Sequence, residues 1–194
     1  MAQVRLNLKG VTSLLLDSDQ FSQGLIASML RGFGMDPPVI CRTGAAAMAY
    51  LQNHCVDLCI IEAMLPDMSG PELIHWIRRP EMEAARYVPI IVLSSYTQLC
   101  MVSDARDAGA NIIVRKPLSP QGLFDRITWV ARVSRPFIEC DSYVGPDRRF
   151  KASDPPNRVL KRGTDPREGT EGSAPVPPRS INKLAAAVAK GNVR

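Results

Sequence analysis

Residues 57–70 read DLCIIEAMLPDMSG, and this stretch indicates how the rest of the chain folds. A short apolar run ends at a single acid, Glu62, and opens into a loop that contains proline and glycine. Apolar runs of roughly four to eight residues between turn signals are typical of strands that are buried on both faces. The stretch therefore predicts a central strand of a parallel sheet with an acidic side chain at its carboxyl end.

Similar apolar runs recur along the chain and predict a five-stranded sheet. The predicted strands are Ser13–Leu16, Val39–Arg42, Asp57–Ile61, Pro89–Leu93 and Asn111–Val114. Segments with apolar residues at helical spacing separate them. The fourth helix is predicted over Thr97–Ala108, with Gly109 as its carboxyl cap, and the fifth begins after Ser119. This alternation predicts an α/β fold in which helices flank a parallel sheet.

The strand–helix pattern stops near residue 134, which we take as the end of a domain that begins at residue 10. Residues 135–194 hold 8 of the 16 prolines, and their 12 Lys+Arg against 7 Asp+Glu account for the net charge of +5. Such a segment cannot bury enough apolar surface to offset its ordering entropy, so we expect it to be mostly disordered.

Two stretches of this tail have a pattern of their own. Residues 137–150 place aromatic side chains around Gly-Pro-Asp-Arg-Arg, which suggests an element that packs back on the domain or binds a partner. Residues 180–190 have apolar residues on one helical face, between Ser180 as a cap and Gly191 as a stop. A helix this short is marginal alone in water, so it needs a surface to dock on.

The composition excludes several classes of protein. No apolar window reaches the roughly 18 residues of a membrane helix, and the first residues lack the apolar core of a signal peptide. We therefore expect a cytoplasmic protein that does not insert into a membrane. The basic charges of the tail are sparse and mixed with acids, and no helix-turn-helix pattern follows the domain, so nucleic-acid binding is not favoured.

Polar residues stand where the predicted strands end. They are Asp17 and Ser18 after the first strand, Glu62 after the third, Ser94 after the fourth, and Lys116 with Pro117 after the fifth. Ligands of open parallel sheets bind outside the carboxyl ends of the strands. The sequence therefore predicts that these side chains share one pocket.

This set, with the Leu-Pro-Asp-Met-Ser-Gly loop and the Lys-Pro step, resembles the receiver domains of two-component response regulators over about residues 10–134. The resemblance implies a (βα)5 flavodoxin-like fold and puts Glu62 at the place of the aspartate that a histidine kinase phosphorylates. It implies that Asp17, Glu62 and the backbone of Met64 would hold Mg²⁺, and that Ser94 and Lys116 would contact the phosphoryl group. We also expect a cis Lys116–Pro117 bond, because cis peptides occur essentially only before proline.

Three positions depart from the receiver pattern. Ser18 replaces the second acid of the metal-binding pair, so the magnesium site should be weak or lost. Glu62 is longer than aspartate by one bond, about 1.5 Å, which allows an ion pair with Lys116. Ile113 stands where receivers often have an aromatic residue that switches between two positions.

The sequence favours an atypical receiver that signals by protein–protein contact, without ordinary aspartate phosphorylation and without enzymatic activity. The expected contact surface is the face of the fourth helix, fifth strand and fifth helix, or the tail, and a histidine kinase is one candidate partner. The alternatives are a phosphoryl-accepting receiver in a phosphorelay and a nucleic-acid-binding regulator that uses the basic tail. Glu62 either mimics an active state or only neutralises Lys116 in a pocket that has lost its role in phosphorylation. Both interpretations are compatible with the sequence.

Overall fold

A computed structural model of the chain describes residues 8–83, 85–95, 99–132, 135–140, 143–147, 183–184 and 186–187. Strands and helices alternate along the first part of the chain, as predicted. They are β1 (Ser13–Leu16), α1 (Gln20–Gly32), β2 (Val39–Cys41), α2 (Gly44–Leu51), β3 (Leu58–Glu62), α3 (Gly70–Ile77), β4 (Ile90–Ser94), α4 (Leu99–Asp107), β5 (Ile112–Arg115) and α5 (Pro120–Arg132).

The five strands form one parallel sheet in the order β2-β1-β3-β4-β5. The predicted α/β class and the (βα)5 arrangement are therefore confirmed. The strands β3, β4 and β5 each begin and end one residue later than predicted. The predicted start of the fourth helix, Thr97, lies outside the described residues.

Side-chain caps determine where several helices begin. Asp19 accepts a hydrogen bond from the amide of Phe21 at the start of α1, and Thr43 accepts one at the start of α2. At α3, Ser69 and Glu72 bond to each other's backbone amides in a reciprocal capping box. These caps satisfy amides that have no partner inside the helix.

The sheet is covered on both faces, and alternate residues of each strand face opposite layers. Leu14 and Leu16 of β1 join the apolar cluster that also contains Leu73 and Ile77 of α3. Leu15 joins the opposite cluster, which contains residues of α1 and α5. This two-sided burial explains why the strands are apolar throughout rather than alternating.

Arg78, directly after α3, is the most deeply buried cation in the part of the chain that the structure describes. Only 3% of its surface is exposed, and its guanidinium donates to the carbonyl oxygens of Gly109, Val88 and Arg86. Burial lowers its pKa to about 10. The side chain thereby joins the ends of α3 and α4 to the loop before β4.

The chain does not become structureless at residue 135, where the predicted tail begins. Strands β6 (Phe137–Cys140) and β7 (Tyr143–Pro146) form an antiparallel hairpin. Phe137 lies over the Arg78 guanidinium, 5.1 Å from it, and Glu139 forms an ion pair with Arg86. The domain boundary at residue 134 stays a prediction, and the structure adds a hairpin that contacts the domain through Phe137 and Glu139. Of the two alternatives predicted for this stretch, packing on the domain agrees with the contacts of residues 137–140 and 143–146.

Gly109 is required where the hairpin meets the domain. Its φ angle is +102°, and a Cβ at this position would lie 2.5 Å from the carbonyl oxygen of Val144. A side chain here would be strained and would also collide with the hairpin.

Only part of the remaining tail is described. Residues 183, 184, 186 and 187 are helical, which agrees with the short helix predicted over 180–190, and Leu184 is fully buried. The rest of that helix and the remainder of the tail, which the sequence predicts to be mostly disordered, lie outside the described residues. Among the helices that are described, none is long and apolar enough to cross a membrane.

We expect Arg78→Ala to lower the free energy of unfolding by about 3 kcal/mol, because buried carbonyl oxygens lose their donor. Urea unfolding measures this change. Arg79→Ala removes the same charge from an exposed neighbour and should change the free energy by less than about 0.5 kcal/mol. Equal effects of the two substitutions would show that Arg78 does not hold this end of the fold.

Candidate functional site

The carboxyl edge of the sheet brings the predicted pocket residues together. Glu62 and Ser94 are the last residues of β3 and β4, while Asp17 and Lys116 directly follow β1 and β5. Backbone hydrogen bonds continue past the strand ends: the amide of Asp17 donates to Cys41, and that of Lys116 donates to Ser94. The strand register therefore fixes the backbone positions of these four residues relative to one another.

The ammonium group of Lys116 lies between two carboxylates. Its Nζ is 2.7 Å from Oδ2 of Asp17 and also contacts Oε2 of Glu62. Asp17 and Glu62 expose only 2% and 8% of their surface. The predicted Glu62–Lys116 ion pair is thus present, and Asp17 shares the same cation.

The Asp17 carboxylate has further donors. Its Oδ1 accepts the amide of Asp19, and its Oδ2 accepts the hydroxyl of Ser22 at 2.6 Å. The side-chain amide of Gln23 donates to the Asp17 carbonyl oxygen. Sequence reasoning did not find Ser22 and Gln23, since no motif marks them and only the direction of α1 brings its first turn over the end of β1.

Burial and hydrogen bonding act in opposite directions on the three charged groups. Burial raises the pKa of Glu62 above its usual range, despite the nearby ammonium. Burial also opposes ionisation of Asp17, but hydrogen bonds from Lys116, Ser22 and the Asp19 amide outweigh it and lower the pKa. Bonds to both carboxylates likewise outweigh burial and raise the pKa of Lys116. Lys116 and the other donors thus stabilise the ionised form of Asp17. Burial destabilises the ionised form of Glu62.

The other predicted site residues occupy different parts of the pocket. Ser94 is buried at the end of β4, whereas Ser18 is exposed beside Asp17. The Lys116–Pro117 bond is cis, as predicted. Met64 is 55% exposed, and its backbone pairs with Ser69 in an isolated bridge.

The pocket does not fit the magnesium ion that the receiver resemblance implies. The two carboxylates predicted to hold the ion face one ammonium, which occupies the space between them and would repel a divalent cation. Both oxygens of Asp17 already accept protein donors. In the part of the chain that the structure describes, no three His, Cys, Asp or Glu side chains converge on a common point.

The two other acids near β3 have structural partners. Asp67 accepts the amides of Gly44 and Ala45, both at 2.9 Å, and so caps α2. Asp57 lies before β3, at the opposite end of the sheet, and accepts the amide and hydroxyl of Thr12. Neither acid reaches the pocket, so Glu62 is the acid of this strand that faces Lys116.

An apolar groove opens beside Lys116, and the sequence did not indicate it. A cavity of about 330 Å³ lies between α1 and the segment after β5, and its lining includes Phe21, Leu25, Pro117 and Leu118. Phe21 and Leu25 are 79% and 45% exposed. Their spacing of four residues places both on one face of α1, but only the fold shows that this face borders the pocket.

Comparison with known families identifies the fold and this pocket. The family model of the response regulator receiver domain matches residues 14–128. The chain belongs to the response regulator receiver family. Asp17, Glu62, Ser94 and Lys116 all lie inside the matched segment, so the pocket is that of a receiver domain.

Curated relatives of this receiver include longer proteins. The chain is 31% identical over 114 residues to the DNA-binding response regulator MtrA of Mycolicibacterium smegmatis, covering 59% of the chain and 47% of that protein. It is 33% identical over 109 residues to the transcriptional regulatory protein KdpE of Mycobacterium tuberculosis, covering 53% of the chain and 46% of that protein. The chain thus spans about half the length of these relatives.

Solved receiver structures have the same fold. The receiver domain of a sensor histidine kinase from Pseudomonas aeruginosa, which has a magnesium ion coordinated in its active-site cleft, matches with a TM-score of 0.56 and 25% identity; the match covers 61% of this chain and 94% of that one. The chemotaxis response regulator CheY4 of Vibrio cholerae matches with a TM-score of 0.56 and 21% identity, over 61% and 97% of the two chains, which shows the fold alone.

We expect Lys116→Met to lower the free energy of unfolding at neutral pH by about 3 kcal/mol, because it leaves two buried carboxylates without their cation. Urea unfolding measures the loss. It should shrink as the pH falls and the carboxylates become protonated. Arg115→Met removes a charge from the preceding, exposed residue and serves as the control. A loss no larger than that of the control would contradict the assigned role of Lys116.

Glu62→Gln should stabilise the domain at neutral pH, because burial raises the pKa of this carboxyl and so disfavours its ionised form in the folded state. Wild-type stability should therefore rise relative to the variant as the pH falls through the raised pKa toward the ordinary value of about 4.3. Thermal unfolding across this pH range measures the difference.

Glu72→Gln is the matched control for the pH series. The pKa of Glu72 is lowered by hydrogen bonds from Ser69, so its carboxylate stabilises the fold above its ordinary pKa, and that contribution is lost as the pH falls. The two variants should consequently differ from wild type with opposite dependence on pH. The same dependence for both would contradict the charge balance of the pocket.

Proposed function

We propose that this chain is an atypical receiver that acts by protein–protein contact and is not phosphorylated on residue 62 in the ordinary way. The observation that carries the proposal is the position of the Lys116 ammonium between the Asp17 and Glu62 carboxylates. In this arrangement the acceptor position already binds the cation that would otherwise contact a phosphoryl group.

Phosphoryl transfer depends on placement and on charge neutralisation. A misplacement of about 1 Å at a reacting group can cost roughly a hundredfold in rate, and Glu62 extends about 1.5 Å farther than aspartate. Magnesium would normally neutralise the incoming phosphoryl oxygens. Ser18 supplies no carboxylate, and Lys116 occupies the space between the two that remain. Each departure opposes transfer, and together they favour a receiver without phosphotransfer or other enzymatic activity.

A phosphoryl-accepting receiver is the main alternative. The family resemblance and the presence of Ser94 and Lys116 support it, and the Pseudomonas aeruginosa receiver coordinates magnesium in its cleft. A DNA-binding role is named for MtrA, but this chain aligns with only 47% of that protein. The described part of the tail contains a hairpin and a short helical segment that pack on the domain, which does not favour a nucleic-acid surface.

The partner would be a signalling protein in the cytoplasm, with a histidine kinase as one candidate. The face of α4, β5 and α5 is the contact surface expected from the sequence, and the residues of the edge strand β5 are partly exposed, Arg115 the most. The groove between α1 and the segment after β5 adds exposed apolar side chains next to Lys116. A partner seated there would contact the pocket mouth without requiring a phosphoryl group.

Treatment with acetyl phosphate and magnesium tests the proposal. We expect no adduct of about 80 Da, the mass of one phosphoryl group, on the wild-type protein by intact mass spectrometry. The double variant Ser18→Asp with Glu62→Asp restores both acids and should gain the adduct on residue 62. Binding of beryllofluoride should follow the same pattern. An adduct on wild-type Glu62 would disprove the proposal.

Two controls show where any adduct forms. The single variants should gain less adduct than the double variant, because each restores only the metal ligand or only the acceptor length. Adding Asp17→Asn to the double variant should abolish the gain, since it removes a carboxylate from the restored metal site. Peptide mapping then separates modification of residue 62 from modification elsewhere.

A further inference from the structure

The described residues of the C-terminal segment, 183, 184, 186 and 187, contact the end of the sheet opposite the pocket. The ammonium of Lys183 lies 2.8 Å from Oδ2 of Asp57, which immediately precedes β3. Leu184 is fully buried in the apolar cluster that includes Leu8 and Val11, and Ala187 packs against the same cluster. A part of the tail more than 30 residues beyond the hairpin therefore returns to the domain.

Hydrogen bonds with Thr12 orient the Asp57 carboxylate that Lys183 contacts. Its Oδ2 accepts both the amide and the hydroxyl of Thr12 at 2.8 Å, and its own amide donates to the Thr12 carbonyl oxygen. The carboxylate is thereby fixed between the amino ends of β1 and β3, where only 8% of the residue's surface is exposed. Lys183 supplies a positive charge to a rigid, largely buried acid.

Within the described residues of the segment, the contact is small compared with those of the helices that cover the sheet. One leucine is fully buried, and the Lys183 side chain remains 51% exposed, so the ion pair is open to water. Ordering a short helix costs backbone entropy at every residue. A contact of this size offsets little of that entropy cost, which favours a docked form in exchange with a released one.

We propose that residues 183–187 are a reversible intramolecular ligand of the amino end of the sheet, anchored by Leu184 and Lys183. The occupant is the chain's own segment, because covalent attachment gives it an effective concentration that can reach the millimolar range. Docking places Lys183 and Leu184 against the amino ends of β1 and β3. Release exposes apolar surface beside Asp57.

The site is independent of the receiver pocket. Asp57 precedes β3, whereas Glu62 ends it, so the two sites lie at opposite ends of the sheet. Variants in the C-terminal segment should therefore leave the acetyl phosphate result unchanged. Failure of this proposal and failure of the proposed function are thus separate experimental outcomes.

Hydrogen exchange of the full-length protein tests the docking. We expect amides in residues 183–187 to exchange more slowly than in an unfolded chain. Leu184→Asn should reduce this protection about tenfold or more. The matched control Ala186→Asn changes an exposed position of the same segment and should retain protection. Absence of protection in the wild type, or an equal loss in both variants, would overturn the proposal.

A double-mutant cycle tests the ion pair. Lys183→Met and Asp57→Asn should each lower the docked population about two- to fivefold, and the amide side chain introduced by the second change still offers an oxygen to Thr12. The double variant should show no further loss, because either change already removes the pair. Exchange of the β3 amides reports any general loss of stability. Additive losses would mean that Lys183 does not act through Asp57.

Concentration dependence identifies the occupant. Docking within one chain predicts that protection is the same at low and high protein concentration, and that a peptide of residues 180–191 competes only near millimolar concentration. Protection that appears only together with a dimer mass would assign the site to the segment of a second copy and overturn docking within one chain.

Discussion

The ammonium of Lys116 lies between the buried carboxylates of Asp17 and Glu62, and the carboxyl edge of the sheet is organised around this contact. It requires the ends of β1, β3 and β5 to meet at one level, which the parallel register provides. Removing the ammonium leaves two buried carboxylates without their cation, whereas removing the Glu62 charge leaves Lys116 paired with Asp17. Glu62, the longer acid at the acceptor position, reaches the same lysine as Asp17.

The opposite end of the sheet binds the segments that follow α5. Arg78 donates to carbonyl oxygens from two loops, the one before β4 and the one before β5, and the β6–β7 hairpin covers it through Phe137. Asp57, on the same end, receives Lys183 from the C-terminal segment. The charged pocket of this receiver lies at the carboxyl edge of the sheet. The hairpin and the C-terminal segment contact the amino edge.

Membership of the receiver family explains the fold and the placement of the pocket, but it does not by itself supply the activity. Burial and hydrogen bonding determine which of the pocket's carboxyl groups is more easily ionised. Burial raises the pKa of Glu62, and hydrogen bonds lower that of Asp17. The single ammonium of Lys116 therefore contacts a stronger acid, Asp17, and a weaker one, Glu62. Ile113, at the position of the usual aromatic switch, packs into the core layer that includes α3. An aliphatic side chain packed there has no ring to move between two positions, which suits a receiver whose output does not depend on phosphorylation.

The sequence by itself determined the (βα)5 order, the strand positions to within about one residue and the four polar positions at the strand ends, because apolar periodicity and strand polarity are local properties. It also indicated the Glu62–Lys116 pair, because the side chain of glutamate is longer than that of aspartate by one methylene and the residue type is read directly from the sequence. Only the tertiary structure decided that Asp17 shares the same lysine, that Ser22 joins it, that Phe137 covers Arg78 and that Lys183 meets Asp57. Each of these contacts joins residues from different elements, and the last joins residues 126 positions apart. Which side chains share a buried charge depends on how those elements pack, and no local pattern in the sequence contains that information.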